Sequence, residues 1–174
     1  KGVSLNVRRG EILGMAGLMG AGRTEFAMSL FGGSWGRSIS GRVRLHGREI
    51  DVSSVTRAVD AGLAYVTEDR KALGLVLGDQ VKRNVSLANL NAVATAGIID
   101  EGREYAVAGG YRDQMRIRCS SVFQSVVNLS GGNQQKVVLS KWLFAEPEVL
   151  LLDEPTRGID VGAKYEIYTL INTL

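Results

Sequence analysis

A glycine-rich segment near the start of the chain has the residue types of a phosphate-binding loop. Residues 17–24 read Gly-Leu-Met-Gly-Ala-Gly-Arg-Thr and fit the pattern G-x-x-x-x-G-K-[ST] except at Arg23, which replaces lysine. Glycines let several backbone N–H groups point at one phosphate, and the hydroxyl of Thr24 can ligate Mg²⁺. Six residues are therefore predicted to contact a nucleotide: Gly17, Gly20, Ala21, Gly22, Arg23 and Thr24.

Arg23 is the one departure from this pattern. Arginine keeps the positive charge, but its guanidinium is longer, planar and forked, whereas the lysine ammonium is a compact point charge. We therefore expect nucleotide binding to survive at this loop and hydrolysis to be weak. A glycine-rich turn without a ligand is the alternative, which a strand before the loop and a helix after it would disfavour.

Two carboxylates follow an aliphatic run later in the chain. Val149–Leu152 reads as a buried strand, and Asp153 and Glu154 come directly after it. In nucleotide-hydrolysing enzymes with such a loop, the first carboxylate orients Mg²⁺ and the second can accept a proton from the attacking water. The sequence predicts Asp153 as a metal ligand and Glu154 as the catalytic base.

The elements that would hold these residues alternate between strands and helices. Apolar alternation and aliphatic runs predict strands at residues 3–7, 11–16, 63–66 and 149–152, and a hairpin over 41–50. Helical spacing predicts helices at residues 23–31, 55–61, 134–144 and 164–174. Strand-like runs vanish after residue 78 and helical stretches appear at 81–90 and 101–115, so residues 78–128 are predicted to form a helical subdomain inserted into an α/β core.

Composition narrows the class of protein. The 174 residues are 45% hydrophobic, which is enough for one domain with a sizeable core, and no apolar stretch approaches the ~20 residues that cross a bilayer. The net charge of +3 is spread along the chain, so no nucleic-acid partner is expected. A single cysteine, Cys119, excludes an internal disulfide and fits a reducing cytoplasm. The strand-like start and helix-like end suggest a chain truncated at both ends.

The stretch Leu129–Gln135 reads Leu-Ser-Gly-Gly-Asn-Gln-Gln. Its serine and glycines would stand at a helix N-terminus, where a hydroxyl and backbone N–H groups can meet an anion. Here the chain resembles the ABC ATPases, whose signature motif is L-S-G-G-x-Q, in the Asn-Gln-Gln variant seen in sugar importers. Residues 11–24, 149–154 and 157–160 are similar to the Walker A segment, the Walker B segment and the D-loop of that family.

This resemblance implies the ABC-ATPase version of the P-loop NTPase fold, an α/β class with an antiparallel β subdomain and the helical subdomain inserted in a RecA-like core. Residues 1–174 would form one nucleotide-binding cassette that uses ATP and Mg²⁺. Family members pair head to tail, so that each ATP lies between the phosphate loop of one cassette and the signature of the other. Five more residues are thereby assigned to nucleotide: Ser130, Gly131, Gly132, Gln134 and the D-loop Asp160. Glu68 stands at the Q-loop position, where a carboxylate can contact nucleotide and Mg²⁺.

Arg23, residues 68–71 and residues 133–135 together resemble the C-terminal cassette of tandem ATPases for ribose, xylose, galactose and arabinose import. The resemblance implies a monosaccharide importer, peripheral at the cytoplasmic face of the bacterial inner membrane. Its partners would be a second cassette, a membrane permease and, indirectly, a periplasmic sugar-binding protein. Two alternatives stay open: an ABC ATPase outside transport, and a regulatory cassette that completes a partner's ATP site. Glu154 favours residual hydrolysis, and Arg23 favours the regulatory cassette.

Overall fold

The computed structural model describes residues 2–18, 20–33, 35 and 38–174. The α-helices of these residues are α1 Arg23–Leu30, α2 Val55–Asp60, α3 Val81–Ser86, α4 Glu101–Gln114, α5 Gly131–Leu143 and α6 Val161–Ile171. The strands are β1 Val43–Leu45, β2 Arg48–Ile50, β3 Leu63–Val66, β4 Ala94–Thr95, β5 Ile98–Ile99 and β6 Val149–Leu152. A π-helical turn covers Arg70–Gly74, and short 3₁₀ turns cover Leu90–Val93 and Val126–Asn128.

A parallel pair of strands, β3 and β6, positions the candidate site. Leu63 lies opposite Val149 and Val66 lies opposite Leu152, so the two strands end at the same level. All four residues of β3 are buried, which is typical of a parallel strand covered on both faces. The residues that follow the two strands, Thr67 onward and Asp153 onward, therefore emerge at one edge, where ligands of parallel sheets commonly bind.

The predicted hairpin over residues 41–50 is confirmed as β1 and β2, which pair antiparallel. His46 and Gly47 connect the strands with φ angles of 50° and 77°. Two central residues with positive φ match the twist of the flanking strands, which is the preferred geometry of a two-residue hairpin loop. His46 also pairs with Glu148, which links the hairpin to the segment that leads into β6.

Helix α5 lies at the centre of the core. Val137, Val138 and Leu139 on this helix are fully buried. The helix begins at Gly131, earlier than the predicted start at Gln134, and the N–H of Gln134 donates to the carbonyl of Ser130 over 2.9 Å. Close packing of the glycines against neighbouring segments explains this start, because tertiary contacts override the low helix propensity of glycine.

The segment at residues 78–128 carries α3 and α4, as the helical pattern predicts. Both helices are held by a buried polar network in which Nζ of Lys82 lies 2.8 Å from Oε2 of Glu104. The hydroxyl of Ser86 donates to the other oxygen of Glu104 over 2.7 Å. The prediction that strands vanish here is wrong in one place, because β4 and β5 form a small antiparallel ladder around Ala96 and Gly97, both with positive φ.

The strands predicted at residues 3–7 and 11–16 do not form. Residues 2–18 contain neither helix nor strand, and their apolar side chains are exposed, for example Val3 at 58% and Ile12 at 67%. A turn lies between them, since the N–H of Glu11 donates to the carbonyl of Arg8 over 3.1 Å. Alternating residues give a segment the ability to form a strand, but a strand exists only where a neighbouring backbone completes its hydrogen bonds.

Helix ends also differ from the predicted ones. Helix α6 begins at Val161 instead of Lys164, because the side chain of Asp160 accepts the N–H of Ala163 over 3.0 Å and caps the first turn. Helix α3 ends at Ser86, short of the predicted residue 90. No helix among the described residues combines the length and apolarity needed to cross a bilayer.

Candidate functional site

The glycine-rich loop runs directly into helix α1. Gly20 and Gly22 adopt the left-handed region with φ of 79° and 88°, and α1 begins at the next residue, Arg23. The N–H of Ala21 donates to the carbonyl of Leu18 over 3.0 Å and closes a turn within the loop. Met19 of the motif lies outside the described residues. The N–H groups of the first turn and the dipole at the start of α1 suit this turn to an anion.

Arg23 contacts the predicted catalytic base. Its Nη2 lies 3.2 Å from Oε1 of Glu154, and both side chains are partly exposed. This ion pair joins the start of α1 to the residue after β6. Exposed pairs of this kind contribute about 0–1 kcal/mol, so an incoming phosphate can compete for Arg23. Glu154 itself has a φ of 45°, a left-handed conformation that is uncommon for a residue with a side chain.

Thr24 and Glu68 meet at the same edge of the β3–β6 pair. The hydroxyl of Thr24 donates to Oε2 of Glu68 over 3.4 Å. The other oxygen of Glu68 pairs with the guanidinium of Arg157. Glu68 therefore bridges the phosphate loop and the segment that follows β6.

Asp153 is buried and held by a residue that the sequence patterns did not single out. The hydroxyl of Tyr65, within β3, donates to Oδ2 of Asp153 over 2.8 Å. Burial, and then this hydrogen bond, raise the pKa of the Tyr65 hydroxyl, so it remains a donor at neutral pH. The available signal was a tyrosine in an otherwise aliphatic strand, since a buried tyrosine hydroxyl usually has a partner.

We name Arg23, Thr24, Glu68, Asp153 and Glu154 the carboxylate cluster. Among the residues that the structure describes, no group of three or more His, Cys, Asp or Glu side chains could hold a metal ion alone. Magnesium, however, is usually bound by one or two carboxylates together with substrate phosphates and water. A hydroxyl 3.4 Å from the Glu68 carboxylate, with buried Asp153 directly after β6, fits a Mg²⁺ ion that arrives with a nucleotide.

The Ser130–Gly132 segment is shaped by close packing. A Cβ atom at Gly131 would lie 2.8 Å from Nη2 of Arg70, and one at Gly132 would lie 2.5 Å from Cβ of Ala163. The hydroxyl oxygen of Ser130 accepts the amide of Asn133 over 2.9 Å. The glycines are thus required by their neighbours, in addition to any role in binding an anion.

Gln134 and Asp160 make contacts within the protein. Gln134 is buried, and its Nε2 donates to the carbonyl of Val126 over 3.2 Å. Asp160 caps α6 and lines a cleft of about 310 Å³ together with Ser130 and Gly132. Their contacts with nucleotide therefore remain predictions. We name this space, which is also lined by Asn133 and Lys136, the signature cleft.

Residues 1–157 match the sequence model of a protein family, and that family is described as ABC transporter. The L-arabinose transport ATP-binding protein AraG of Geobacillus stearothermophilus is 58% identical over 172 residues, which cover 99% of this chain and 34% of that protein. The xylose import ATP-binding protein XylG of Thermoanaerobacter pseudethanolicus is 51% identical, with the same two coverages. The chain thus spans 34% of the length of each of these curated relatives.

Solved structures are similar to the fold. CbiO1 of Clostridium perfringens, part of the ABC transporter complex CbiONQ, is 25% identical with a TM-score of 0.75 and covers 99% of this chain and 65% of its own. The ATP-binding cassette MJ0796, a dimer bound to ADP and Pi, gives a TM-score of 0.74 at 22% identity over 96% of this chain and 70% of its own. The predicted α/β fold of the ABC ATPases is confirmed.

Proposed function

The chain belongs to the ABC transporter family, and we propose that it is a nucleotide-binding cassette of a monosaccharide importer, which binds Mg-ATP and hydrolyses it slowly. The observation that carries the proposal is the convergence of the loop at 17–24 with the ends of β3 and β6. Arg23 lies against Glu154 and Thr24 against Glu68, although each pair joins distant parts of the chain.

The side chains of the carboxylate cluster have separate roles in this proposal. Backbone N–H groups of the loop and the start of α1 bind the phosphates. Thr24, Glu68 and Asp153 would hold Mg²⁺, and the bound ion would supply positive charge that neutralises the phosphate oxygens. Tyr65 fixes the position of Asp153 through its 2.8 Å hydrogen bond.

Glu154 acts on the attacking water. Its carboxylate accepts a proton from water while the water oxygen bonds to the γ-phosphorus. The bond from that phosphorus to the bridging oxygen breaks, and ADP leaves with its electron pair. Because Arg23 pairs with Glu154 in the nucleotide-free chain, this carboxylate is free to act only when Arg23 turns to the phosphates. That competition, and the forked guanidinium in place of an ammonium, account for slow turnover.

Import of a monosaccharide is supported by the names of the relatives. These proteins are described as L-arabinose transport, xylose import and ribose import ATP-binding proteins. Since this chain spans 34% of the arabinose relative, we propose that it is the second of two cassettes in a longer protein. The cassette would span 1–174 with residues 78–128 as its helical subdomain. It would act at the cytoplasmic face of the bacterial inner membrane with a second cassette, a permease and, indirectly, a periplasmic sugar-binding protein.

A regulatory cassette is the second candidate. The contact between Arg23 and Glu154 favours it, because the ion pair occupies the carboxylate that would accept a proton from the attacking water. In this role the chain would bind nucleotide without hydrolysing it, and Ser130, Gly131 and Gly132 would complete the ATP site of the other cassette. An ABC ATPase outside transport has no specific support in the structure.

Calorimetric titration with Mg-ATP tests nucleotide binding. We expect saturable binding to the parent chain and about tenfold weaker binding to Thr24→Val in the presence of Mg²⁺, with little difference when EDTA removes the metal. Thr56→Val, at an exposed position of α2, is the matched control and should bind as the parent does. No saturation at millimolar ATP, or equal affinity of parent and Thr24→Val, would overturn the assignment of this loop.

Phosphate release separates the two candidates. At protein concentrations high enough for two copies to pair, we expect slow release of phosphate that Glu154→Gln abolishes. Glu49→Gln, at an exposed position of β2, should leave the rate unchanged. Binding without any release by the parent chain would favour the regulatory cassette instead.

A further inference from the structure

Arg70 is a buried arginine that touches two separate segments of the candidate site. It follows β3 at the start of the π-helical turn and is only 8% exposed. Its Nη1 donates to the carbonyl of Arg157 over 2.8 Å, and its Nη2 donates to the carbonyl of Gly158 over 3.4 Å. The same Nη2 would lie 2.8 Å from a Cβ atom at Gly131, the first residue of α5.

The position of Arg70 costs free energy. Arg70 is buried, and burial of a charged group costs free energy unless strong partners replace its hydration. Its acceptors are neutral carbonyls, and its buried Nε has no hydrogen-bond partner in the structure. An apolar side chain of similar length would fill this space without the desolvation cost. Stability alone therefore does not explain an arginine at this position.

Continuous contacts connect Arg70 to the phosphate loop. The carbonyl of Arg157 accepts a hydrogen bond from Arg70, and its guanidinium pairs with Glu68. Glu68 in turn accepts a hydrogen bond from the hydroxyl of Thr24. The path thus leads from Thr24 through Glu68 and Arg157 to Arg70, and from there to Gly131. It joins the carboxylate cluster to the signature cleft within one chain.

We propose that Arg70 is a positioning residue that ties the Arg157–Gly158 segment to the start of α5. When nucleotide and Mg²⁺ engage Thr24 and Glu68, the pairing of Glu68 with Arg157 changes, and Arg70 carries the change to α5. The signature cleft therefore responds to nucleotide bound at the loop of the same chain. This coupling rests on the proposed nucleotide binding, whereas the tie made by Arg70 exists without nucleotide.

Hydrogen exchange without nucleotide tests the tie. We expect Arg70→Met to speed amide exchange about tenfold in peptides covering residues 155–161, because the hydrogen bonds to the carbonyls of Arg157 and Gly158 are lost. Exchange at residues 130–137 should also rise, because the guanidinium no longer packs against Gly131. Arg70→Lys should restore part of the protection, since it keeps the charge and one donor. Lys71→Met, at the exposed neighbouring position, is the matched control and should exchange as the parent does. Equal exchange in Arg70→Met and the parent would overturn the inference.

A second variant keeps the test decisive if Arg70→Met fails to fold. Gly131→Ala retains the arginine but places a methyl group 2.8 Å from Nη2 and 3.2 Å from the carbonyl oxygen of Gly158, so the guanidinium must shift. We expect faster exchange at residues 155–161, far from the substituted residue in sequence. Unchanged exchange there would count against the tie.

Addition of Mg-ATP tests the coupling. We expect nucleotide to alter exchange at residues 130–137 in the parent and not in Arg70→Met, while calorimetry shows affinities within about threefold of each other. Binding by both chains with the same exchange response would refute the coupling. If the parent does not bind nucleotide, the proposed function fails, while the nucleotide-free comparison still decides the role of Arg70.

Discussion

The hydroxyl of Tyr65 donates a 2.8 Å hydrogen bond to Oδ2 of Asp153 across the parallel strand pair. Tyr65 lies opposite Leu151 in the register of β3 and β6, and Asp153 comes two residues after Leu151, directly beyond the end of β6. Both residues are buried, and a buried carboxylate requires a donor to offset its loss of hydration. The strand register therefore supplies the contact that orients the predicted metal ligand.

Removal of this hydroxyl should weaken both stability and metal-dependent binding. We expect Tyr65→Phe to lower the free energy of unfolding by about 1–2 kcal/mol, because the Asp153 oxygen loses its donor. Mg-ATP should bind more weakly, with a smaller effect in EDTA. Urea denaturation and calorimetry measure the two effects. Tyr105→Phe, at an exposed position of α4, serves as the control, and equal losses in both variants would contradict the role of Tyr65.

Release of Arg23 from Glu154 should favour nucleotide binding. We expect Arg23→Lys to bind Mg-ATP about twofold to fivefold more tightly, because the shorter side chain loses its contact with Glu154 and retains its charge for the phosphates. Glu154→Gln should give a similar gain by removing the same partner. Calorimetry measures both affinities, with Arg44→Lys, at the exposed position of β1, as the control. Weaker binding by both variants would show that the ion pair does not compete with nucleotide.

Packing at Gly132 should be sensitive to a single methyl group. Since a Cβ atom there would lie 2.5 Å from Cβ of Ala163, we expect Gly132→Ala to destabilise the chain by about 1–3 kcal/mol. Gly109→Ala in α4 is the matched control, because its Cβ meets nothing within 4 Å and the helix gains about 0.5–1 kcal/mol. Urea denaturation of both variants checks the opposite signs. A stabilised Gly132→Ala variant would rule out the close approach of α5 and α6.

Lys141 should make stability depend on alkaline pH. Its ammonium donates to the carbonyl of Gly74 over 2.6 Å and lies over the Trp142 ring. Burial lowers the pKa of Lys141 from 10.5 to about 8. Between these two values the unfolded chain binds more protons than the folded chain, so the free energy of unfolding rises with pH across this window. Below about pH 8 the cost of the buried charge is fully present.

Replacement of Lys141 should remove this rise. We expect Lys141→Met to be more stable than the parent at neutral pH, and the difference to shrink by about 1–3 kcal/mol as pH increases through the window. Urea denaturation at a series of pH values measures the change. Lys71→Met is the control: it removes an exposed lysine, and its stability should depend on pH as that of the parent does. Parallel curves for Lys141→Met and the parent would refute the shift.

Local sequence patterns were sufficient to predict the position of an element where that element contains its own hydrogen bonds or a tight turn. The hairpin of β1 and β2, helix α2 and helix α4 lie close to their predicted positions for this reason. The sequence patterns at residues 3–7 and 11–16 predict strands equally clearly, but these residues form no strand. Their outcome depends on a neighbouring backbone, which alternation in the sequence does not describe.

Residue types and spacing by themselves predicted the groups that could do chemistry: the loop at 17–24, Asp153 with Glu154, and Ser130 with its glycines. Such motifs are local, so their chemistry is readable without a fold. Only the tertiary structure decided that Arg23 meets Glu154, that Tyr65 holds Asp153 and that Arg70 spans two segments. Contacts between residues far apart in sequence are set by strand register and helix packing, and these follow from the burial of the whole core rather than from any single motif.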